Sequence, residues 1–334
     1  MKFTFRRGEV LRQKRRNRKN TMGYLLIPAI LILFNIILLI RDRGKIEAYT
    51  DVIYEKSDSE AEMVKGTAEE WFQEKKENAV YTSSGVEDYP AFCEIGQVER
   101  PVERGLEQIL ARLEELSQSD SRIGTIRENY DDYPEEMLRN LANNPEMADF
   151  VLNYPEKRGT TDAVLTESEK NQEHPLFLQW DPRWGYALYG DGSVIGIAGC
   201  GPTCLSMVLY YLTGDETITP DKVAAYSMEN GYWAEGQGTA WALLEEYPVQ
   251  YDVFSEEIPM TESVMKRELD EGHYLILTMG EGDFTLEGHF IVIYGYDENG
   301  FLVNDPNCVS RSRKSWSFGE LEGQVKNIWS FFRL

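Results

Sequence analysis

Cys200 lies in the segment GCGPTCLSM, between Gly199 and Gly201, with Pro202 next and the apolar run TCLSMVLYYLT behind it, ended by Gly214. Proline suits the first turn of a helix and glycine the position just past the last, so the stretch is predicted to be a buried helix opening at the cysteine. A thiol at a helix N-terminus sits at the positive end of the backbone dipole, which favours the thiolate, and flanking glycines leave space for a substrate carbonyl. Those are the requirements of a nucleophile. Taken alone, the segment fits a structural or disulfide-bonded cysteine at a tight turn equally well, since the chain has four cysteines and therefore three full pairings.

A thiolate needs a base, and the chain holds three histidines, His174, His273 and His289. His289 opens GHFIVIYGYDENGFLVNDP, which reads as strand, tight loop, strand. If the loop centres on Asp297, antiparallel pairing sets His289 directly opposite Asp305, whose carboxylate would orient the imidazole. If the loop spans DENG with Tyr296 opposite Phe301, Asn304 takes the face of His289 instead. Either residue orients a ring; only Asp305 is charged. His273 opens the predicted strand YLILTM and reads as a turn residue, and His174 precedes Pro175 in a linker. Neither is read as belonging to a metal-ligand cluster, no HExxH occurs, and the glycines of GYWAEGQGTAW lack the lysine of a phosphate loop. No metal and no cofactor is expected.

Elements upstream must place this machinery. GLEQILARLEELSQ sets Leu106, Ile109, Leu110, Leu113 and Leu116 at helical spacing, which predicts an amphipathic helix in need of a partner. Two more helices are predicted from YPEEMLRNLANN and NPEMADFVLNYPEK, with Pro134 and Pro145 in their first turns and Glu135, Glu136 and Glu146 complementing the dipole. This helical region reads as a spacer somewhat better than as a pro-region or substrate-recruiting module.

Charge is divided along the chain. Residues 1–22 carry nine Lys or Arg against Glu9 alone, and the remainder carries 25 basic and 56 acidic residues. Nucleic-acid binding needs a basic footprint on the folded domain, so it is not expected. Residues 23–40, opening on Gly23 and closing on Ile40, contain no charge. A helix of that length just crosses a hydrocarbon core, and Pro28 and Asn35 are tolerated there. Nine preceding cations put the N-terminus in the cytoplasm and the rest of the chain outside. A retained anchor is preferred over a cleaved signal peptide, because the run ends in LLIRDRGK without small residues for cleavage.

Together LQWDPRWGYALYGD, GCGPTCLSMVLYYLTG, GQGTAW and GHFIVIYGYDENGFLVNDP, in that order from about His174 to the C-terminus, resemble the papain-like cysteine peptidases of family thirty-nine, the bacteriocin-processing type, in its stand-alone branch. The preceding helical segment is similar to one often found ahead of this domain in Gram-positive bacteria. The resemblance implies an α+β papain-like fold, a nucleophile-bearing helix packed on an antiparallel sheet. It makes Cys200 the nucleophile, His289 the base and Asp305 the orienting residue, and leaves Cys204 a helix residue. It also implies that Gln179, with the Cys200 N–H, donates to the oxyanion of an acyl-transfer intermediate. Gln179 precedes Cys200 by twenty-one residues, longer than in transporter-fused relatives.

The expected organisation is a cytoplasmic basic tail (1–22), a transmembrane anchor (23–40), an acidic stalk (41–101), a helical subdomain and linker (102–172) and a papain-like peptidase domain (173–334). The expected function is extracytoplasmic hydrolysis of peptide bonds in a peptide or protein substrate. Alternatives are a cell-wall amidase or endopeptidase of the NlpC type and a non-catalytic peptide-binding module. Cys204 and Cys308 are placed near the site, and Cys93 is unassigned.

Overall fold

The computed structural model describes residues 98–236 and 238–334. The expected tail, anchor and Cys93 lie outside the described residues, as does nearly all of the stalk. Among the described residues no helix is long and apolar enough to cross a membrane.

Four helices come first: α1 (Leu106–Ser117), α2 (Ser121–Glu128), α3 (Glu135–Asn143) and α4 (Ala148–Lys157), the last entered through a 3-10 turn, Pro145–Met147. The apolar spacing that predicted α1 buries Ile109 and Leu113. Sequence reading missed α2; its signal is Asp120, whose side chain accepts from the Arg122 N–H and caps the helix start. Short helices α5 (Glu167–Lys170) and α6 (Ile195–Ala198) then lead into α7 (Cys200–Thr213). As expected, α7 is buried almost throughout and stops at Gly214, whose φ of 68° is left-handed.

Beyond it come α8 (Pro220–Glu229), a hairpin of β1 (Trp233–Ala234) and β2 (Gly238–Thr239), α9 (Ala242–Glu246), β3 (Val253–Glu257) and α10 (Glu262–Asp270). The chain ends with β4 (Tyr274–Met279), β5 (His289–Tyr296), β6 (Phe301–Asn304), α11 (Val309–Ser312), β7 (Ser315–Trp316), α12 (Phe318–Leu321) and β8 (Val325–Arg333). Strands β3 to β8 form one antiparallel sheet in the order β3-β8-β4-β5-β6-β7. Mixed helices on an antiparallel sheet are what the sequence led one to expect.

Both faces of the sheet are covered, which explains why consecutive residues at 275–277 of β4 and 290–293 of β5 are apolar. Ile276, Phe290 and Val292 join the core that contains α7, while Leu275, Leu277, Ile291 and Ile293 join a second core with Met265 of α10. Alternate residues therefore serve opposite layers.

A spacer would not share that first core, yet α1 to α4 do. Ile109, Ile123, Leu138 and Phe150 belong to the same cluster as Leu205 and Val208 of α7. Phe150 stacks on Tyr186 with ring centroids 4.6 Å apart, and the Tyr186 hydroxyl donates to the Phe150 carbonyl. At Gly196 a Cβ would stand 2.2 Å from the Phe150 ring, so glycine is required for this approach. The linker reading of His174 changes similarly: its Nε2 is 2.9 Å from the Tyr274 hydroxyl, and its ring stacks on Tyr294.

Candidate active site

Cys200 is the first residue of α7, partly exposed, and a free thiol. The carbonyls one turn back, Gly196 and Ile197, accept from Gln179, and no backbone carbonyl among the described residues accepts from the Cys200 or Gly201 N–H, so donors gather where a carbonyl oxygen would be polarised. Close packing accounts for the second flanking glycine: a Cβ on Gly201 would lie 2.8 Å from Thr239 Oγ1 of β2. The remaining described cysteines are different. Cys204 and Cys308 are fully buried free thiols; burial raises Cys204 well above the ordinary range and Cys308 to about 12. Neither offers a thiolate near neutrality.

His289 opens β5, and Asp305 follows the last residue of β6, so both stand at one end of the strand pair. Neither register expected from sequence holds along the whole hairpin. At the turn Tyr296 pairs with Phe301, as in the second alternative, but a bulge at Tyr294 shifts the ladder, and further along Val292 pairs with Asn304. Continuing that ladder sets Asp305 opposite Ile291, diagonal to His289 and on its face, rather than directly opposite His289 as the first alternative had it. Asn304 turns the other way and donates to the Tyr211 hydroxyl on α7.

The resulting contact is short. His289 Nε2 donates to Asp305 Oδ1 at 2.7 Å, the carboxylate being fully buried and the histidine 8 % exposed. With Nε2 engaged, the other ring nitrogen is left for the Cys200 thiol, whose electrostatic influence favours the charged ring. Burial of the ring opposes its protonation, but Asp305 and Cys200 outweigh it and push the imidazole up to about 9. Asp305 is shifted the opposite way: burial favours the neutral acid, and His289, Arg311 and the Asn307 N–H overcome it to hold the carboxyl below the usual range.

Gln179 reaches the same neighbourhood with its amide already occupied. Its Nε2 donates to the carbonyls of Gly196 at 3.1 Å and Ile197 at 3.3 Å, and its buried Oε1 has no hydrogen-bond partner among the described residues. Donation to an oxyanion requires one of those bonds to be exchanged. The backbone of Gln179 is fixed by its N–H to the Pro306 carbonyl at 2.7 Å, one residue past Asp305.

Sequence reading missed Arg311. It is 5 % exposed, and its Nη1 lies 3.3 Å from Asp305 Oδ2. A buried guanidinium six residues past a buried carboxylate was available as a signal only in hindsight, because RSRK reads as a solvated basic run. His273 also needs correcting. The structure gathers Glu268, Glu271 and His273 with ligand-type atoms within 4.8 Å of one another, where the sequence was read as having no such cluster. Arg267, 2.7 Å from Glu268, and the Ser330 hydroxyl at 3.0 Å already satisfy that carboxylate.

Two solved structures resemble parts of the chain. The peptidase domain of Streptococcus ComA, a bi-functional ABC transporter involved in a quorum-sensing pathway, is 19% identical, with 40% of this chain and 90% of that one covered and a TM-score of 0.32. A protein described as a C39-like peptidase from Bacillus anthracis is 14% identical, covering 52% of this chain and 99% of that one, with a TM-score of 0.30. No curated protein matches the chain. The stretch that contains Gln179, Cys200, His289 and Asp305, residues 171–333, matches the Peptidase_C39 like family.

Proposed function

We propose that this protein is a cysteine peptidase in which Cys200 is the nucleophile, His289 the acid and base, and Asp305 the orienting carboxylate. One observation carries the reading: a partly exposed thiol at a helix start acts electrostatically on a histidine that is itself hydrogen-bonded to a fully buried aspartate. The Cys200 sulfur attacks the scissile carbonyl carbon, and the oxyanion is met by the Cys200 N–H with the Gln179 amide as the second donor. Collapse of the tetrahedral intermediate expels the amine, which takes the proton from His289 and leaves a thioester. Water then attacks the thioester, giving its proton to His289 as the thiolate departs.

The substrate is a peptide bond in an extracytoplasmic peptide or protein. We place the catalytic region outside the membrane, held by residues 23–40, on the charge distribution around that apolar run. Cys200→Ala should abolish peptide cleavage and labelling by an iodoacetamide or epoxide probe, while Cys204→Ala leaves both intact. Undiminished labelling of the Cys200 variant would sink the assignment. Intact cells treated with a membrane-impermeant thiol reagent should label Cys200; labelling seen only after lysis would overturn the topology.

A further inference from the structure

The chemistry above does not use Glu146, a carboxylate in the 3-10 turn between α3 and α4 that is only 2 % exposed. Sequence reading assigned it to a helix dipole, but it reaches across to the catalytic region. Its Oε2 accepts from the Val309 N–H at 2.7 Å and its Oε1 from the Ser310 N–H at 2.9 Å. Beside it, Asn144 donates from Nδ2 to the Asn307 carbonyl, which also accepts from Trp180 Nε1 at 2.9 Å.

We propose that Glu146 is a positioning residue of the catalytic site: by fixing the backbone of residues 307–310 it holds the Asp305 carboxylate against His289. This rests on the cysteine-peptidase reading. The turn it grips is the one that starts at Asp305. Asn307 donates its N–H to Asp305 Oδ1 at 2.8 Å, the Asp305 N–H donates to Ser312 Oγ at 2.8 Å, and Cys308 donates its N–H to the Asp305 carbonyl at 3.1 Å. Movement at Val309 or Ser310 therefore passes to Asp305 through Asn307 on one side and Arg311 on the other.

The charges support the same conclusion. Arg311 is buried and 3.3 Å from Asp305, and Glu146 adds a weaker electrostatic attraction. Burial raises the Glu146 carboxyl above its usual range and Asp305 adds to that, while the two backbone N–H groups and Arg311 pull it down. A buried acid with that penalty persists where its hydrogen bonds fix something, because charge-assisted bonds to backbone N–H groups are short and directional.

The test uses the full-length chain with Glu146→Ala and Glu146→Gln. Glu146→Ala should lower kcat about tenfold or more with KM within about twofold, since misplacement of a catalytic group costs rate rather than binding. The alkaline limb of the kcat/KM profile for peptide cleavage, where the His289 imidazolium near 9 loses its proton, should move to lower pH. Glu146→Gln keeps one acceptor oxygen and should fall between Glu146→Ala and wild type; it serves alone if Glu146→Ala does not fold. Lower melting temperatures with unchanged kcat and an unchanged pH profile would make Glu146 a structural cap and overturn the proposal. Should wild-type Cys200 show no more reactivity than Cys204, the peptidase reading fails first. The proposal is then decided by the downfield proton resonance of the His289–Asp305 hydrogen bond, absent in Asp305→Ala: a shifted or broadened signal in the Glu146 variants supports it, and an unshifted one overturns it.

Discussion

Among the described residues two histidines are hydrogen-bonded to buried carboxylates, and the two pairs look alike until their surroundings are compared. His289 is 2.7 Å from Asp305 and His273 is 2.9 Å from Glu268; each carboxylate is nearly or wholly inaccessible, and each is also approached by an arginine, Arg311 or Arg267. What separates them is the third group. At His289 it is the Cys200 thiol on a helix N-terminus; at His273 it is the Ser330 hydroxyl on β8 and the face of Phe332. A histidine–carboxylate pair is thus common structural material, and it becomes a site only where a nucleophile and open space meet it.

Four substitutions press on that contrast, in decreasing order of effect on Cys200 reactivity. His289→Ala should lower peptide cleavage by at least about 10³-fold, the scale on which catalytic bases act, read as initial rates against the wild-type chain. Asp305→Ala should cost roughly 10²-fold by loosening the ring. It should also shift the pH profile: activity falls in wild type as pH rises through about 9, where His289 loses its proton, and in the variant that limb moves down because Asp305 is what raises the imidazole. An unmoved limb would detach Asp305 from the site.

The same shift has a signed consequence for stability. His289 has a folded value of about 9 against 6.5 unperturbed, so its stabilising contribution is complete below about 6.5 and is lost as pH rises through about 9. Asp305 is held low, so its contribution is present above its unperturbed 3.8 and is lost as pH falls through its depressed folded value. Urea melts across pH should therefore show a wild-type advantage over Asp305→Ala that fades at both extremes.

Phe150→Ala removes a fully buried ring from the core shared by the helical region and α7, and should cost about 3–5 kcal/mol by denaturant unfolding. Its effect on rate should be smaller than that of Asp305→Ala, because it touches no reacting group. Separate unfolding transitions for the two regions would contradict the shared core. His273→Ala should leave the rate unchanged while costing roughly 1–3 kcal/mol, the penalty of withdrawing one partner from buried Glu268. A rate loss there would erase the distinction between the two pairs.

Legibility in the sequence follows the range of the interactions. Cys200, the helix behind it and its glycine stop are written in consecutive residues, and so is the strand–loop–strand around His289. α2 was missed although Asp120 marked its start, since its eight residues carry only Ile123 and Ile126 as buried positions. Glu146 and Arg311 could not be read, because each looks like an ordinary surface charge until the fold brings together segments far apart in the chain. The helical region was misjudged for the same reason: amphipathic spacing says that a face needs covering, not that α7's core will cover it.

The bulge at Tyr294 carries a last implication. One extra residue in β5 decides that Asp305, rather than Asn304, shares the face of His289. Smoothing the strand would restore an unbroken ladder over the same backbone groups while turning the carboxylate away. A chain that pairs one rung out would thus be compact, antiparallel and inert. Specific activity after refolding should accordingly measure pairing fidelity, distinguishing correctly threaded molecules from well-packed impostors that circular dichroism counts as native.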